Sequence, residues 1–209
     1  MKKLLLLLMI GLSVFLLGGC NSGGQGNSGS APLPTPASDG VVINFDYAAQ
    51  SGWGSNQFAV WIEDMDGKHI KTLYATRYTV RRGYIDRVDC LPVWVESSNL
   101  PSMTKEEADA IAGATPKSKN LSYFWDLTDQ NGDTVPNGEY RYKVEASLRW
   151  DNRSYFSGVV EVGGASEIVQ SNTEYVYGAT EDGPALTSDS PENSMISSVT
   201  AQFIPVGSE

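Results

Sequence analysis

Histidine and cysteine are nearly missing from this 209-residue chain, which has one histidine, His69, and two cysteines, Cys20 and Cys90. With one imidazole, a serine or cysteine nucleophile lacks an evident base, which argues against hydrolysis by a triad. Transition-metal centres are likewise short of their usual imidazole and thiolate ligands. No disulfide framework is available, so the fold has to rest on its core. Cations are scarce too: 15 Lys and Arg stand against 25 Asp and Glu, for a formal charge of −10. That balance excludes nucleic acid as a partner and makes anionic headgroups poor ones. The long apolar run Leu4 to Leu17 falls short of the about 20 residues a membrane-spanning helix needs.

What is present begins with a leader. Lys2 and Lys3 form a positive n-region, the apolar run follows, and Leu17-Gly18-Gly19-Cys20 is a small-residue cleavage pattern ending in a thiol. Residues 1–19 therefore read as a lipoprotein signal peptide, and Cys20 as the lipid attachment site. More than one acyl chain there makes attachment to the membrane stable rather than reversible. Loss of Lys2 and Lys3 takes the formal charge of the mature chain to −12 and leaves Cys90 without an intramolecular partner. Residues 20–40 carry the lipidated cysteine and a Ser, Gly, Asn and Pro-rich stretch. Such a stretch cannot offset its ordering entropy by burial and reads as a flexible tether with a reach of about 25 Å. Asn21 is not Asp, so nothing argues for inner-membrane retention in a Gram-negative host.

Residues 41–209 suit one domain. Val41 to Tyr47 reads as a strand. Gln57 to Glu63 alternates, with Phe58, Val60 and Ile62 on one face. Asp64-Met65-Asp66-Gly67 turns the chain, and His69 to Val80 resumes as a strand with His69 exposed in the hairpin. In Leu91 to Val95, Pro92 points to an edge strand or a packed loop. Thr104-Lys105-Glu106-Glu107 is a capping box opening one short helix, with Gly113 placed to stop it. Leu121 to Asp126, Tyr140 to Leu148, Ser154 to Val162 and Ser194 to Val206 read as further strands. Tyr140, Tyr142, Val144, Ala146 and Leu148 face the core. Residues 163–193 read as an irregular excursion. The whole is an all-β, Ig-like antiparallel β-sandwich with one short helix.

The stretch Trp125-Asp126-Leu127-Thr128-Asp129-Gln130-Asn131-Gly132-Asp133-Thr134-Val135-Pro136-Asn137-Gly138-Glu139-Tyr140 resembles the hairpin of the Ig-like domain in flagellar hook-assembly proteins. More broadly, the chain from Phe58 through Val95 to the last strand is similar to a family of uncharacterised predicted periplasmic proteins. The segments Phe58-Ala59-Val60-Trp61-Ile62-Glu63-Asp64 and Leu91-Pro92-Val93-Trp94-Val95 carry that likeness. Neither resemblance implies an activity.

Within the acidic turn, Asp129, Asn131 and Asp133 alternate like the first ligands of a calcium loop. Thr134 stands where that loop needs Gly and Tyr140 where it needs Glu, so turn hydrogen bonding is the better reading. Carboxylates are plentiful enough to leave a paired-acid glycosidase open by inventory, yet they fall mainly in turns and on the outer faces of strands.

One motif can carry chemistry. Asp109-Ala110-Ile111-Ala112-Gly113-Ala114-Thr115 resembles the signature at which exported flavin transferases attach FMN to a threonine hydroxyl through a phosphoester. The resemblance implies Thr115 as the attachment oxygen, Gly113 and Ala114 as room for the phosphate and the transferase, and Asp109 as a residue presenting the site. Ala112 replaces the usual hydroxyl residue, and Pro116-Lys117-Ser118 departs from the usual continuation. The plain alternative is a capped helix leading into the next strand. Trp53, Trp61, Trp94, Trp125 and Trp150 can serve as core anchors or as a ligand platform, Trp53 being the best placed for exposure. The reading is a non-enzymatic, lipid-tethered binding or scaffolding module for an envelope protein or surface ligand, without cofactor or metal. The alternative is an extracytoplasmic electron carrier with covalent FMN.

Overall fold

The computed structural model describes residues 38–51, 54–148, 152–176 and 194–206. The leader, Cys20, the tether up to residue 37, Trp53, Trp150 and residues 177–193 lie outside the described residues. Two sheets face each other, as the strand pattern predicts. In the first, β1 (Gly40–Tyr47) lies between β5 (Lys119–Trp125) and β10 (Ile196–Ile204), and β10 also pairs with β8 (Ile168–Gln170). The second runs β4 (Ala112–Gly113), β3 (His69–Thr76), β2 (Gln57–Glu63), β6 (Gly138–Ser147), β7 (Arg153–Val162), β9 (Asn172–Val176). Every pairing is antiparallel except β3 with β4. Strand β1 starts at Gly40, the residue predicted to end the tether.

Alternation fills the space between the sheets. Val41, Ile43, Phe45 and Tyr47 from β1 meet Phe58, Val60 and Ile62 from β2 and Tyr140, Tyr142, Val144 and Ala146 from β6, all at most 6% exposed. The five residues predicted to line the core from Tyr140 to Leu148 do so. At one end Trp125 packs edge-on against Tyr140 at 5.0 Å, donates Nε1–H to the Thr128 carbonyl at 2.8 Å, and Tyr140 Oη donates to the Pro136 carbonyl at 2.8 Å. Those bonds explain why the Trp125 to Tyr140 turn needs its two aromatic ends.

The second sheet is covered on its outer face as well. Residues 77–111 form a cap of short turns: a π-helical turn (Thr79–Gly83), α1 (Tyr84–Asp86), α2 (Pro92–Ser97), a 3-10 turn (Leu100–Ser102) and α3 (Lys105–Ile111). Val80, Cys90, Leu91, Trp94, Leu100 and Ile111 from the cap bury against Ala59, Trp61 and Ala75 of the sheet. Strand β2 is consequently buried at every position.

Four sequence expectations are corrected here. The strand predicted over His69 to Val80 ends at Thr76, because the hydroxyls of Thr76 and Thr79 donate to Gln57 Oε1 at 2.6 and 3.0 Å and hold the chain in a turn. Leu91 to Val95 is neither strand nor loop: Pro92 opens α2 at a position where its missing N–H costs nothing. The capping box of Thr104 and Glu107 forms as expected, but Ala112 ends α3 in an extended conformation and, with Gly113, pairs beside Ala75 and Thr76. Residues 168–170 and 172–176, inside the expected irregular excursion, are strands. The described residues thus hold three short helices around the predicted sandwich.

Trp94 is the largest side chain that the cap buries. Trp94→Ala should cost about 3–5 kcal/mol of unfolding free energy. It should also open the buried Cys90 thiol to an aqueous thiol reagent under native conditions. Denaturant titration and thiol-labelling rates check both; unchanged labelling would mean that the cap seals without its indole.

Candidate functional site

Two places concentrate chemistry: the seam between cap and sheet, and the loop that leaves the cap. The seam is polar where alternation predicts solvent. Trp61 and Glu63 share the outer face of β2, and β6 sets Lys143 opposite Trp61 and Glu145 opposite Ala59. Glu63 is 3% exposed and Glu145 0%. The Glu145 carboxylate accepts the backbone N–H of Trp94 at 2.8 Å and of Val93 at 3.4 Å, with Arg153 at 3.8 Å. Burial pushes its pKa up to about 7 against those favourable neighbours.

Glu63 accepts from Trp61 Nε1 at 2.7 Å, from Ser97 Oγ at 2.8 Å and from Lys143 Nζ at 2.5 Å. Burial acts to raise its pKa, but these three donors outweigh it and hold the carboxyl below its ordinary value. Lys143 also lies 5.9 Å from the Trp61 ring centre and 5.6 Å from that of Tyr155. His69 is half-buried in this network, not exposed: Nδ1 is 3.3 Å from Ser97 Oγ and Nε2 3.1 Å from Thr72 Oγ1. Ser97 gives its proton to Glu63 and so accepts from His69 Nδ1–H. Thr72 accepts Trp94 Nε1–H at 3.1 Å and gives its own proton to Nε2. The network therefore assigns a neutral His69 protonated on Nδ1, and burial lowers its pKa to about 4. The missed signal was Trp61, an indole out of place on a solvent face and in phase with Glu63.

The second place is the predicted modification motif. Thr115 is exposed, on the stretch 114–118 that links β4 of one sheet to β5 of the other. Ala114 beside it is exposed. Gly113 does not leave open room as predicted: a Cβ there would sit 2.0 Å from Tyr74 Cε2, so the glycine is needed to admit the Tyr74 ring. Tyr74 Oη donates to the Ala114 carbonyl at 2.8 Å. The Asp109 carboxylate is bound to Arg81 Nη2 at 3.2 Å, on the side of α3 where Val80, Tyr84, Leu100 and Met103 line a groove of about 510 Å³. Asp109 thus ties α3 to the π-helical turn, while Gly113, Ala114 and Thr115 stay together at the sandwich edge. In the acidic turn, Asp129 Oδ1 accepts the N–H of Asn131 at 2.8 Å and of Asp133 at 3.0 Å, so its lone pairs serve the turn. Trp61, Trp94 and Trp125 are core residues with no exposed surface. Among the described residues no group of three or more His, Cys, Asp or Glu is placed to hold a metal ion.

Glu145 and His69 give opposite pH dependences. An acid with its folded pKa raised from 4.5 to about 7 stabilises fully below pH 4.5, and that stabilisation is lost as pH rises toward 7. A histidine lowered from 6.5 to about 4 stabilises fully above pH 6.5 and loses this as pH falls toward 4. The slopes offset one another between these limits. In His69→Gln, stability should fall as pH rises from 4.5 to 7; in Glu145→Gln it should rise from 4 to 6.5. Urea midpoints across that range check the signs, and parallel curves for the two variants would refute the pairing.

No helix among the described residues is long and apolar enough to cross a membrane. No curated protein and no solved structure matches the chain. Residues 41–177, which include every strand of the second sheet, the cap and Thr115, match the family described as Predicted periplasmic protein (DUF2271). The chain belongs to this family, and its placement is extracytoplasmic.

Proposed function

We propose that the chain is a lipid-anchored, non-enzymatic carrier that holds FMN covalently on Thr115 outside the cytoplasm. The observation that carries this reading is the exposure of Thr115 on a stretch without regular structure, where a modifying enzyme can reach its hydroxyl. A buried threonine would refuse both the enzyme and the ring, because packed cores have no space for either. The surroundings suit a phosphoester: Lys117 and Lys119 are exposed just beyond Thr115 in a chain otherwise rich in acids. Ala112, where the signature has a hydroxyl residue, is half-buried in β4 against Ala75, a place for a small apolar side chain. Bound there, FMN would supply one- and two-electron chemistry, and the covalent bond would prevent loss of the cofactor from the cell. The chain's own residues hold and present it: the capping box fixes the start of α3, Ile111 anchors its end in the cap core, and β4 sets the exit of the loop.

Acylation of Cys20 completes the reading by keeping the carrier at the membrane. A second role, as a binding or scaffolding module, is favoured by the cap surface, where Tyr78, Ile85 and Val88 are 44%, 62% and 80% exposed. Exposed apolar side chains such as these suit contact with an envelope protein or surface ligand.

Coexpression with an exported flavin transferase should place FMN on the tryptic peptide spanning residues 106–117, detected by mass spectrometry. Thr115→Val should abolish the adduct and shift unfolding free energy by no more than about 0.5 kcal/mol, the ordinary range for a surface substitution. An unmodified wild-type peptide would leave only the binding module. Separately, Cys20→Ser should move the protein from the membrane fraction to the soluble fraction and remove labelling by a radioactive fatty acid. Retention of both in the variant would refute the anchor.

A further inference from the structure

The loop that carries Thr115 crosses the open edge of the sandwich, and two tyrosines fill that opening. Tyr74 on β3 lies under Gly113 and donates its hydroxyl proton to the Ala114 carbonyl, so it touches both residues that precede Thr115. Tyr123, from β5 on the opposite sheet, has its ring centre 5.1 Å from that of Tyr74. Both rings are half-buried. Behind them lie fully buried rings: Phe58 stacks on Tyr74 at 4.9 Å, Phe45 on Tyr123 at 5.7 Å, and Tyr47 packs on Phe58 at 5.3 Å. The Tyr47 hydroxyl is buried, in a residue 2% exposed, and has no hydrogen-bond partner among the described residues. It lies close enough to Tyr74 and Tyr123 to act on the charge of both.

We infer that Tyr74 and Tyr123 form a docking platform for the planar ring carried at Thr115. This rests on the carrier reading above and adds a positioning site to it. Two features select a planar aromatic group: half-exposed aromatic rings next to the attachment residue, and a rigid aromatic layer that keeps them in place. Aromatic stacking contributes about 0.5–1.5 kcal/mol beyond area burial. At the upper end, the attached ring rests on the platform roughly ten times as often as it points into solvent. Tyr74 acts through its contacts with Gly113 and Ala114, and Tyr123 through the part of the residue that stays exposed.

The test uses the full chain loaded with FMN by coexpression with a flavin transferase. Mass spectrometry first shows the adduct on residues 106–117. Flavin emission is then compared between the intact protein and the same sample after complete proteolysis, since a tyrosine in contact with an isoalloxazine quenches its fluorescence. The platform predicts emission roughly tenfold lower in the intact protein than in the digest. It also predicts a visible circular dichroism signal that disappears on digestion. Tyr123→Leu should recover most of the emission, and Tyr123→Trp should stay quenched. Tyr74→Phe, which keeps the ring, should stay quenched in part while the loop loses its tie to Ala114. Thermal unfolding of each variant, with its adduct level, identifies variants that fail to fold. Equal emission before and after digestion, with the adduct present, overturns the platform while the carrier stands. Absence of any adduct on wild-type protein overturns both.

Discussion

A carboxylate beneath a helix that could not stand by itself holds the molecule's outer layer in place. Helix α2 has six residues, too few for an isolated helix in water. It begins on Pro92, which has no N–H, so its first donors are the amides of Val93 and Trp94, and both turn to Glu145 on the sheet. Orphaned amides at a buried helix start cost about 1–3 kcal/mol each, and a buried carboxylate without partners costs more. Each side therefore requires the other. The approach also holds Leu91 at φ 54°, a left-handed conformation that costs a leucine about 1–3 kcal/mol. Complete burial of the Leu91 side chain in the cap core offsets that strain.

The position of Thr115 follows from the docking of the cap. Parallel strands need a long crossover between them, and residues 77–111 are the crossover that brings the chain from the end of β3 back to its side as β4. Pairing lasts only two residues, Ala75 with Ala112 and Thr76 with Gly113. Beyond Gly113 the sheet has no further partner, and the chain passes over the edge to join β5 in the opposite sheet. The Ser118 hydroxyl accepts the Ala49 N–H at 2.7 Å and fixes the far end of that passage. A loop stretched between two sheets, tied at both ends, keeps Thr115 outside without releasing it. The short β4 also shields the edge of β3 from pairing with another chain.

The sandwich was legible because alternation is a local property. Phe58, Val60 and Ile62, or Tyr140, Tyr142 and Val144, repeat with period two and face the space between the sheets. The same rule misled where a second layer covers the other face. Glu63, Lys143 and Glu145 have the charge and spacing of solvent-facing residues, and only the seam that they form with Ser97, Trp94 and Arg153 shows them to be internal. Their partners are remote in sequence, with 51 positions between Trp94 and Glu145. Thr76 and Thr79 are β-branched and read as strand, yet their hydroxyls bond to Gln57 and bend the chain. Pro92 points from sequence to an edge strand or a packed loop, yet it opens a helix. The helix that was predicted, α3, has its start signal within four consecutive residues, Thr104 to Glu107, and needs no tertiary contact to be recognised.

The same distinction separates the stretch from Asp109 to Thr115, proposed as an attachment motif, from its surroundings. Asp109, Gly113, Ala114 and Thr115 lie within one turn and a few residues, so a short pattern can expose them; Tyr74 lies 40 positions from Ala114 and comes beside it only through the fold. Gly113 shows how such a pattern has to be weighed. Its lack of a side chain fits the signature for flavin attachment, but Tyr74 requires a glycine there for packing alone. The glycine would be present with or without a cofactor and by itself does not distinguish the two cases. Thr115 differs in kind. Its side chain is exposed on a loop tied at both ends, beside aromatic rings that remain half-open. Packing against the core does not call for a hydroxyl at that point, so Thr115, unlike Gly113, is not accounted for by the stability of the sandwich.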